Sequence, residues 1–238
     1  MRRRRRVASP VLFVYNLVMR PGFWLLYYGI GKSLFTMILR VVFRTQISGR
    51  DRVPTNDGLL IVSNHISFVD PPLLGITTPR PVEFMTMAEM FRKPWLARLL
   101  RTIGCFPVDR SRVDQRAVRE AIRRLRAGRC VVIFPEGGIR LTHQSVLGGD
   151  PDIKPGAGAI GLLAHATILP VIVRDTRKPY KPRNWLPFHQ GRLGRETISI
   201  TFGQPFRLWN PRDLPAEQRR ERAESLVREQ LLKTVELG

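Results

Sequence analysis

The sequence predicts an α/β fold in which a mixed, largely parallel sheet is flanked by helices, and three observations carry that expectation. Short apolar runs recur at 59–62, 130–134 and 168–173. The first, closed by Gly58 on one side and Ser63-Asn64 on the other, has the pattern of a strand buried on both faces. Helical patterns alternate with these runs, as in proteins built from strand–helix units. In the clearest, 114–126, Val118, Ile122 and Leu125 share one face, arginines occupy the others, and Gly128 supplies a stop. Finally, 43% hydrophobic residues in a chain of 238 suffice for one domain-sized core and argue against disorder.

Residues 1–50 contain ten Lys or Arg, including the arginine run 2–6, and no acid. Two apolar pieces, 11–19 and 23–43, are interrupted by Arg20-Pro21, Lys32 and Arg40. Neither therefore offers the roughly 20 unbroken apolar residues of a simple spanning helix, and no small-residue cleavage pattern follows them as in a secretory signal. Trp24, Tyr27 and Tyr28 beside basic margins predict an N-terminal amphipathic membrane-binding helical pair in the interface of an anionic bilayer. Packing of the pair on the protein's own core, or a span over 7–31 kinked at Pro21, are the alternatives. We place this unit at 1–45 and the α/β domain at 46–238.

Within the domain, strands are expected at 59–62, 82–86, 104–108, 130–134, 168–173 and 198–202. Helices are expected around 73–76 and over 88–102, 114–126, 157–166 and 216–234, with a basic, proline-containing loop at 174–195. Pro170 inside a strand pattern marks an edge or a bulge. The net charge of +21 implies an anionic partner: nucleic acid, phospholipid headgroups or a phosphorylated substrate. Cys105 and Cys130 sit among apolar residues and read as buried thiols, with no disulfide framework and no zinc spacing. His143, His165 and His189 have no metal-ligand spacing either, and His165 reads as a packed helix residue. Residues 156–161 match G-x-G-x-x-G but follow a polar loop and lack the acid about 20 residues on that a dinucleotide site needs. Lys154 with this helix start could bind an anion, but close helix packing is the better use of these small residues.

The chemistry gathers just beyond the strands. His65 falls at the carboxyl end of the strand at 59–62, the edge at which open α/β sheets bind ligands. On a single helix His65 and Asp70 would point about 140° apart, so they must meet across a turn, with a new helix starting at Asp70-Pro71. Asp70 could then hold the imidazole through Nδ1 and leave Nε2 as a base. The alternative makes Asp70 a helix cap and His65 a turn residue, and this stretch alone leaves both open. Asp109-Arg110 and Glu136-Gly137, with Arg140, follow two further strands. If those strands are parallel to the first, His65, Asp70, Arg110, Glu136 and Arg140 converge on one rim, where an arginine can hold a phosphate through paired hydrogen bonds.

Four motifs occur in order: His65-Ile66-Ser67-Phe68-Val69-Asp70, Phe106-Pro107-Val108-Asp109-Arg110, Phe134-Pro135-Glu136-Gly137 and Ile168-Leu169-Pro170-Val171. Over about 46–206 the chain resembles the glycerolipid acyltransferase family that includes 1-acylglycerol-3-phosphate acyltransferases. The resemblance implies transfer of a fatty acyl group from acyl-CoA or acyl carrier protein to the free hydroxyl of 1-acylglycerol-3-phosphate, at the cytoplasmic face of a membrane and without a further cofactor. It makes His65 the general base and Asp70 its orienting partner. Arg110, Glu136, Gly137 and Arg140 become acceptor-site residues, and Pro170 part of an apolar or donor-side surface. No G-x-S-x-G elbow is present, which favours direct transfer over an acyl-serine, and Ser67 reads as a turn residue. Two departures stand out: Ile139 where many members have Arg, and Met87 where many have Lys. They motivate a different acceptor, another lysophospholipid or an amino-lipid. A non-catalytic protein binding nucleic acid or anionic membrane is the remaining alternative. It leaves unexplained why His65, Asp70 and Glu136 flank strands, and no nucleic-acid partner is expected.

Overall fold

A computed structural model describes residues 43–237, apart from 112, 150–152, 178–187, 190, 191, 194, 195 and 209–214, together with 29, 33, 34, 36 and 37. The strands are β1 (Arg44–Ser48), β2 (Leu59–Ser63), β3 (Val82–Met87), β4 (Phe106–Val108), β5 (Cys130–Ile133), β6 (Thr167–Arg174), β7 (Phe188–His189), β8 (Arg192–Leu193), β9 (Thr197–Phe202) and β10 (Phe206–Arg207). The α-helices are α1 (Asp70–Thr77), α2 (Pro94–Thr102), α3 (Gln115–Arg126), α4 (Ala157–Ala164) and α5 (Ala216–Glu236). The expected pair of N-terminal interfacial helices falls almost wholly outside the described residues. Among the described residues no helix is long and apolar enough to cross a membrane.

Eight strands form one mixed sheet in the order β1-β9-β6-β2-β5-β3-β4, with β10 pairing β6. The five strands from β6 to β4 are mutually parallel, while β9 and β10 run antiparallel to β6. β2 lies at the centre, with Leu59 opposite both Cys130 and Thr167, and all its residues are buried. One face of the sheet carries Leu59, Ile61, Phe84 and Leu169 against α1 and α2. The other carries Leu60, Val62, Ile168 and Ile172 against α3, α4 and α5.

Local chemistry explains the helix limits. Asp114 caps α3 by accepting from Arg116 N and Ala117 N, and Gly128, at φ 74°, turns the chain out of it. The helix expected over 88–102 divides into a 3-10 turn, Ala88–Phe91, and α2, because Pro94 forces the extended conformation seen at Lys93. His165 is exposed and left-handed at the C-cap of α4, so it is no packed helix residue; it ends the helix. The small residues of α4 do serve close packing. A Cβ at Gly158 would lie 2.6 Å from Ala223 C, and one at Gly161 would lie 2.5 Å from Ile168 Cδ1.

Pro170 occupies a central strand but faces a bulge, as its sequence predicts: between the pairs Val171 with Phe202 and Ile168 with Phe206, two residues of β6 oppose three of the chain joining β9 to β10. The Pro170 carbonyl accepts from Gly203 N at 2.9 Å, just beyond the last β6–β9 ladder pair, Val171 with Phe202. The missing N–H thus falls at the bulge, where the β9 ladder has ended.

Candidate active site

Asn64 fixes the chain as it leaves β2. Its Nδ2 donates to Val173 O at 2.9 Å and its Oδ1 accepts from Val173 N at 2.8 Å, so the loop hangs from the neighbouring strand. His65 follows, 7% exposed, with Nδ1 2.8 Å from Asp70 Oδ2. That oxygen also accepts from Ile66 N and Ser67 N, each at 2.8 Å. Ser67 closes the turn, its Oγ accepting from Val69 N and its carbonyl from Asp70 N. Asp70 is the first residue of α1 and not its N-cap, which is Val69. Its carboxylate binds backward into the loop and does not cap the helix.

A carboxylate oxygen that already accepts two N–H bonds also accepts one from the ring, which places the proton on Nδ1 and the lone pair on Nε2. The imidazole is held flat by Phe134, with ring centroids 4.2 Å apart and planes 21° from parallel. His65 forms part of the wall of a cavity of about 690 Å³ whose remaining wall is mostly apolar. Pro72, Gly75 and Ile76 of α1, Phe84 of β3, and Leu100 and Ile103 in and after α2 line it; Phe68, Arg110 and Ile139 also border it.

Glu136 is fully buried and does not border this cavity. Its Oε2 accepts from His65 N at 2.9 Å, and its Oε1 from Ser145 Oγ at 2.6 Å and Val146 N at 2.9 Å. The structure therefore gives it a backbone-bracing position. Gly137, at φ 70°, sits beside it in the left-handed region that favours glycine, and a Cβ there would lie 2.7 Å from the flexible end of Lys154 at Cε. Arg110 Nη1 donates to Gly137 O at 3.2 Å, and its burial pulls the guanidinium below its ordinary value, opposed by Glu89. Arg140 N donates to His65 O at 2.8 Å, and its Nε to Glu136 O at 3.2 Å. His65, Asp70, Arg110, Glu136, Gly137 and Arg140 are thus brought together. Pro170 is not among the cavity residues; its register neighbours Ile168 and Ile172 belong to the opposite face of the sheet.

The anion-binding reading of the α4 N-terminus is displaced by a side chain of the protein itself. Glu224 of α5 accepts from Gly156 N, Gly158 N and Ala159 N at 2.8 to 3.0 Å. Sequence reasoning missed this contact, and also the braces from Asn64 and Ser145. Asn64 sits beside the histidine in the sequence, which was the available signal. Nothing in the sequence singles out Glu224 or Ser145. Cys105 and Cys130 are buried and unpaired, and burial raises both thiols, Cys130 to about 12. Among the described residues no cluster of His, Cys, Asp or Glu could hold a metal ion.

A carboxylate-oriented histidine facing a deep apolar cavity has the parts needed to deprotonate a hydroxyl beside a long aliphatic chain. Residues 44–174, more than half of the chain, match the model of the acyltransferase family, and the chain belongs to that family. It is 29% identical over 135 residues to the 1-acyl-sn-glycerol-3-phosphate acyltransferase of Bacillus subtilis, covering 56% of this chain and 64% of that protein. It is 34% identical over 168 residues to the lyso-ornithine lipid O-acyltransferase of Pseudomonas aeruginosa, covering 64% and 58%. Less than two thirds of either relative's length is matched. The fold is similar to that of the 1-acyl-sn-glycerophosphate acyltransferase of Thermotoga maritima, with a TM-score of 0.51 at 19% identity over 89% of this chain and 88% of that one.

Proposed function

We propose that the protein transfers a fatty acyl group from an acyl thioester, carried on CoA or on acyl carrier protein, to the free hydroxyl of a lysophospholipid. With 1-acylglycerol-3-phosphate as acceptor the product is phosphatidate, a step of phospholipid biosynthesis. The observation that carries this reading is the 2.8 Å contact between His65 Nδ1 and Asp70 Oδ2 at the wall of the apolar cavity. Nε2 takes the acceptor's proton as its oxygen attacks the thioester carbonyl, and the tetrahedral intermediate then expels the thiolate. The proton on Nε2 passes to that leaving sulfur, so His65 ends as it began. Asp70 keeps the ring in one tautomer and balances its charge between the two transfers. The cavity holds aliphatic chain, and Arg110 at its border attracts the acceptor's anionic head. The segment 1–45 associates with the membrane in which substrate and product reside, at its cytoplasmic face.

Transfer of labelled acyl from acyl-CoA to lysophosphatidate in anionic micelles tests this, with wild type compared with His65→Ala. Product from wild type alone supports the reaction and the base together. A folded His65→Ala protein as active as wild type refutes the mechanism.

A second acceptor class has its own support. Met87 and Ile139, where the family resemblance implies cations, are apolar and both border the cavity, and one relative of the chain is a lyso-ornithine lipid O-acyltransferase. Competition among lyso-acceptors for one labelled donor decides, and preference for lysophosphatidate removes this second reading.

A further inference from the structure

We infer that α2 is a bilayer contact: its exposed Trp95 and Leu99 insert into the interface of an anionic phospholipid membrane and seat the cavity wall on it. Trp95 is 65% exposed and Leu99 40% exposed. Four residues apart, they lie about 40° from each other around the helix and form one continuous patch. The opposite side of the same helix is in the protein, where Ala97 and Leu100 are buried. The apolar surface of α2 therefore extends past what the core covers, and it does so through a tryptophan, the residue best suited to a boundary between water and acyl chains.

Charge selects the occupant. Arg92, Lys93 and Arg98 are exposed beside this patch, and Glu89 is the only acid between residues 88 and 105. Cations beside an exposed aromatic and a leucine match a headgroup layer of negative charge, into which long basic side chains can snorkel. A second copy of this chain, at +21, would bring its own positive field to the same place.

Position gives the contact a use. Leu100 and Ile103 line the cavity from the inner side of this region, and Phe68, 74% exposed, borders the same cavity. Docking at Trp95 and Leu99 would place the cavity's outer wall against lipid, so a lysolipid or an acyl chain could pass between bilayer and cavity with little exposure to water. This use rests on the acyl-transfer reading; the lipid contact itself does not.

The test uses the full chain with Trp24, Trp185 and Trp209 replaced by Phe, leaving Trp95 as the sole indole. Titration with phosphatidylglycerol vesicles bearing brominated chains should shift Trp95 emission to the blue and quench it. Phosphatidylcholine vesicles should require roughly tenfold more lipid. In the otherwise native chain, Trp95→Gln with Leu99→Gln should lower transfer to vesicle-embedded acceptor about tenfold. Transfer to a short-chain acceptor below its micelle concentration should be unchanged. Trp95 unquenched at saturating phosphatidylglycerol overturns the inference. So does emission already blue-shifted without vesicles and unaffected by them, which would mean that protein covers the patch. Quenching in a chain that transfers no acyl group to any acceptor would refute the proposed function and leave this surface standing.

Discussion

Replacing Glu136 by Gln separates a bracing carboxylate from a substrate-binding one. Glu136 has no exposure and accepts from His65 N, Ser145 Oγ and Val146 N. Gln offers one acceptor oxygen and one NH₂ of nearly the same shape, and Ser145 can turn its hydroxyl to accept. Whichever way the amide is placed, either His65 N–H or Val146 N–H meets another donor. One buried N–H without a partner costs about 1–3 kcal/mol, and exchanging charged for neutral acceptors in the other bonds adds about 1 kcal/mol. The expected loss is about 3 kcal/mol, which a domain of ordinary stability survives at 25 °C. Urea unfolding followed by circular dichroism measures it. In acyl-transfer assays kcat should fall roughly 10- to 100-fold, because the base is displaced by a fraction of an ångström. KM for the acceptor should stay within about twofold, since no ligand contact is removed. A variant of wild-type stability whose KM rises with kcat intact would refute the reasoning and return Glu136 to the acceptor site.

Other expectations follow from single contacts. Glu224→Gln should lower stability by about 1–2 kcal/mol and leave kcat unchanged, because it weakens the cap on three N–H groups of α4 far from the cavity; a fall in kcat at full stability would contradict this. Arg123, followed by Arg124, holds the Glu120 carboxyl down to about 2. Its contribution is complete above the ordinary value of 4.5 and is lost as pH falls toward 2, so Glu120→Gln should flatten the acid limb of a stability–pH curve by on the order of 1 kcal/mol after solvent screening. An unaltered limb would count against it. Gly75→Leu, pointed at the cavity between α1 and β3, should favour shorter acyl donors over longer ones in a chain-length series; an unchanged series would place the chain elsewhere. Cys130, raised to about 12 by burial, should react with a thiol reagent at pH 8 only after unfolding, and reaction in the native state would disprove its inertness.

Legibility followed burial. β2, β5 and β6 announce themselves because both faces are covered and every residue but the terminal Arg174 is apolar or small. β1 went unseen because it is an edge strand with four of its five residues exposed, so no period of two survives in Arg44–Ser48. Two-residue strands such as β10 carry no period at all. The ribbon of β7 and β8 lies inside a stretch read as loop for the same reason. Pro170 was legible as a bulge residue, because the chain between β9 and β10 leaves the β6 ladder opposite that proline and rejoins it one residue out of step. The pairing of His65 with Asp70 was legible as one of two readings, since helix geometry excludes a shared helix but leaves Asp70 free to cap α1 instead. The place of Glu136 was not, because its partners are a backbone amide 71 residues upstream and a pair of donors 9 and 10 residues downstream. Composition and spacing reveal that a carboxylate is present, but not which donors it meets.

His65 is constrained from four directions by two segments of chain. Asp70 holds its ring, Phe134 its face, Glu136 its amide and Arg140 its carbonyl. Three of these four residues belong to the loop after β5, the strand that pairs with β2 directly, Val62 opposite Ile133. The motif at 134–137 is therefore intelligible as the scaffold of the histidine before any contact with substrate is considered: one strand delivers His65 and its neighbour delivers the frame. Gly137 must then turn left-handed to carry the chain away, which points its carbonyl at Arg110 and brings Lys154 across it. Arg110, the one Lys or Arg among the described residues bordering the cavity, is thus positioned by the same loop that positions His65. A disturbance of this loop should affect proton transfer and headgroup attraction together, whereas one confined to α1 or β3 should affect only what the apolar cavity can hold.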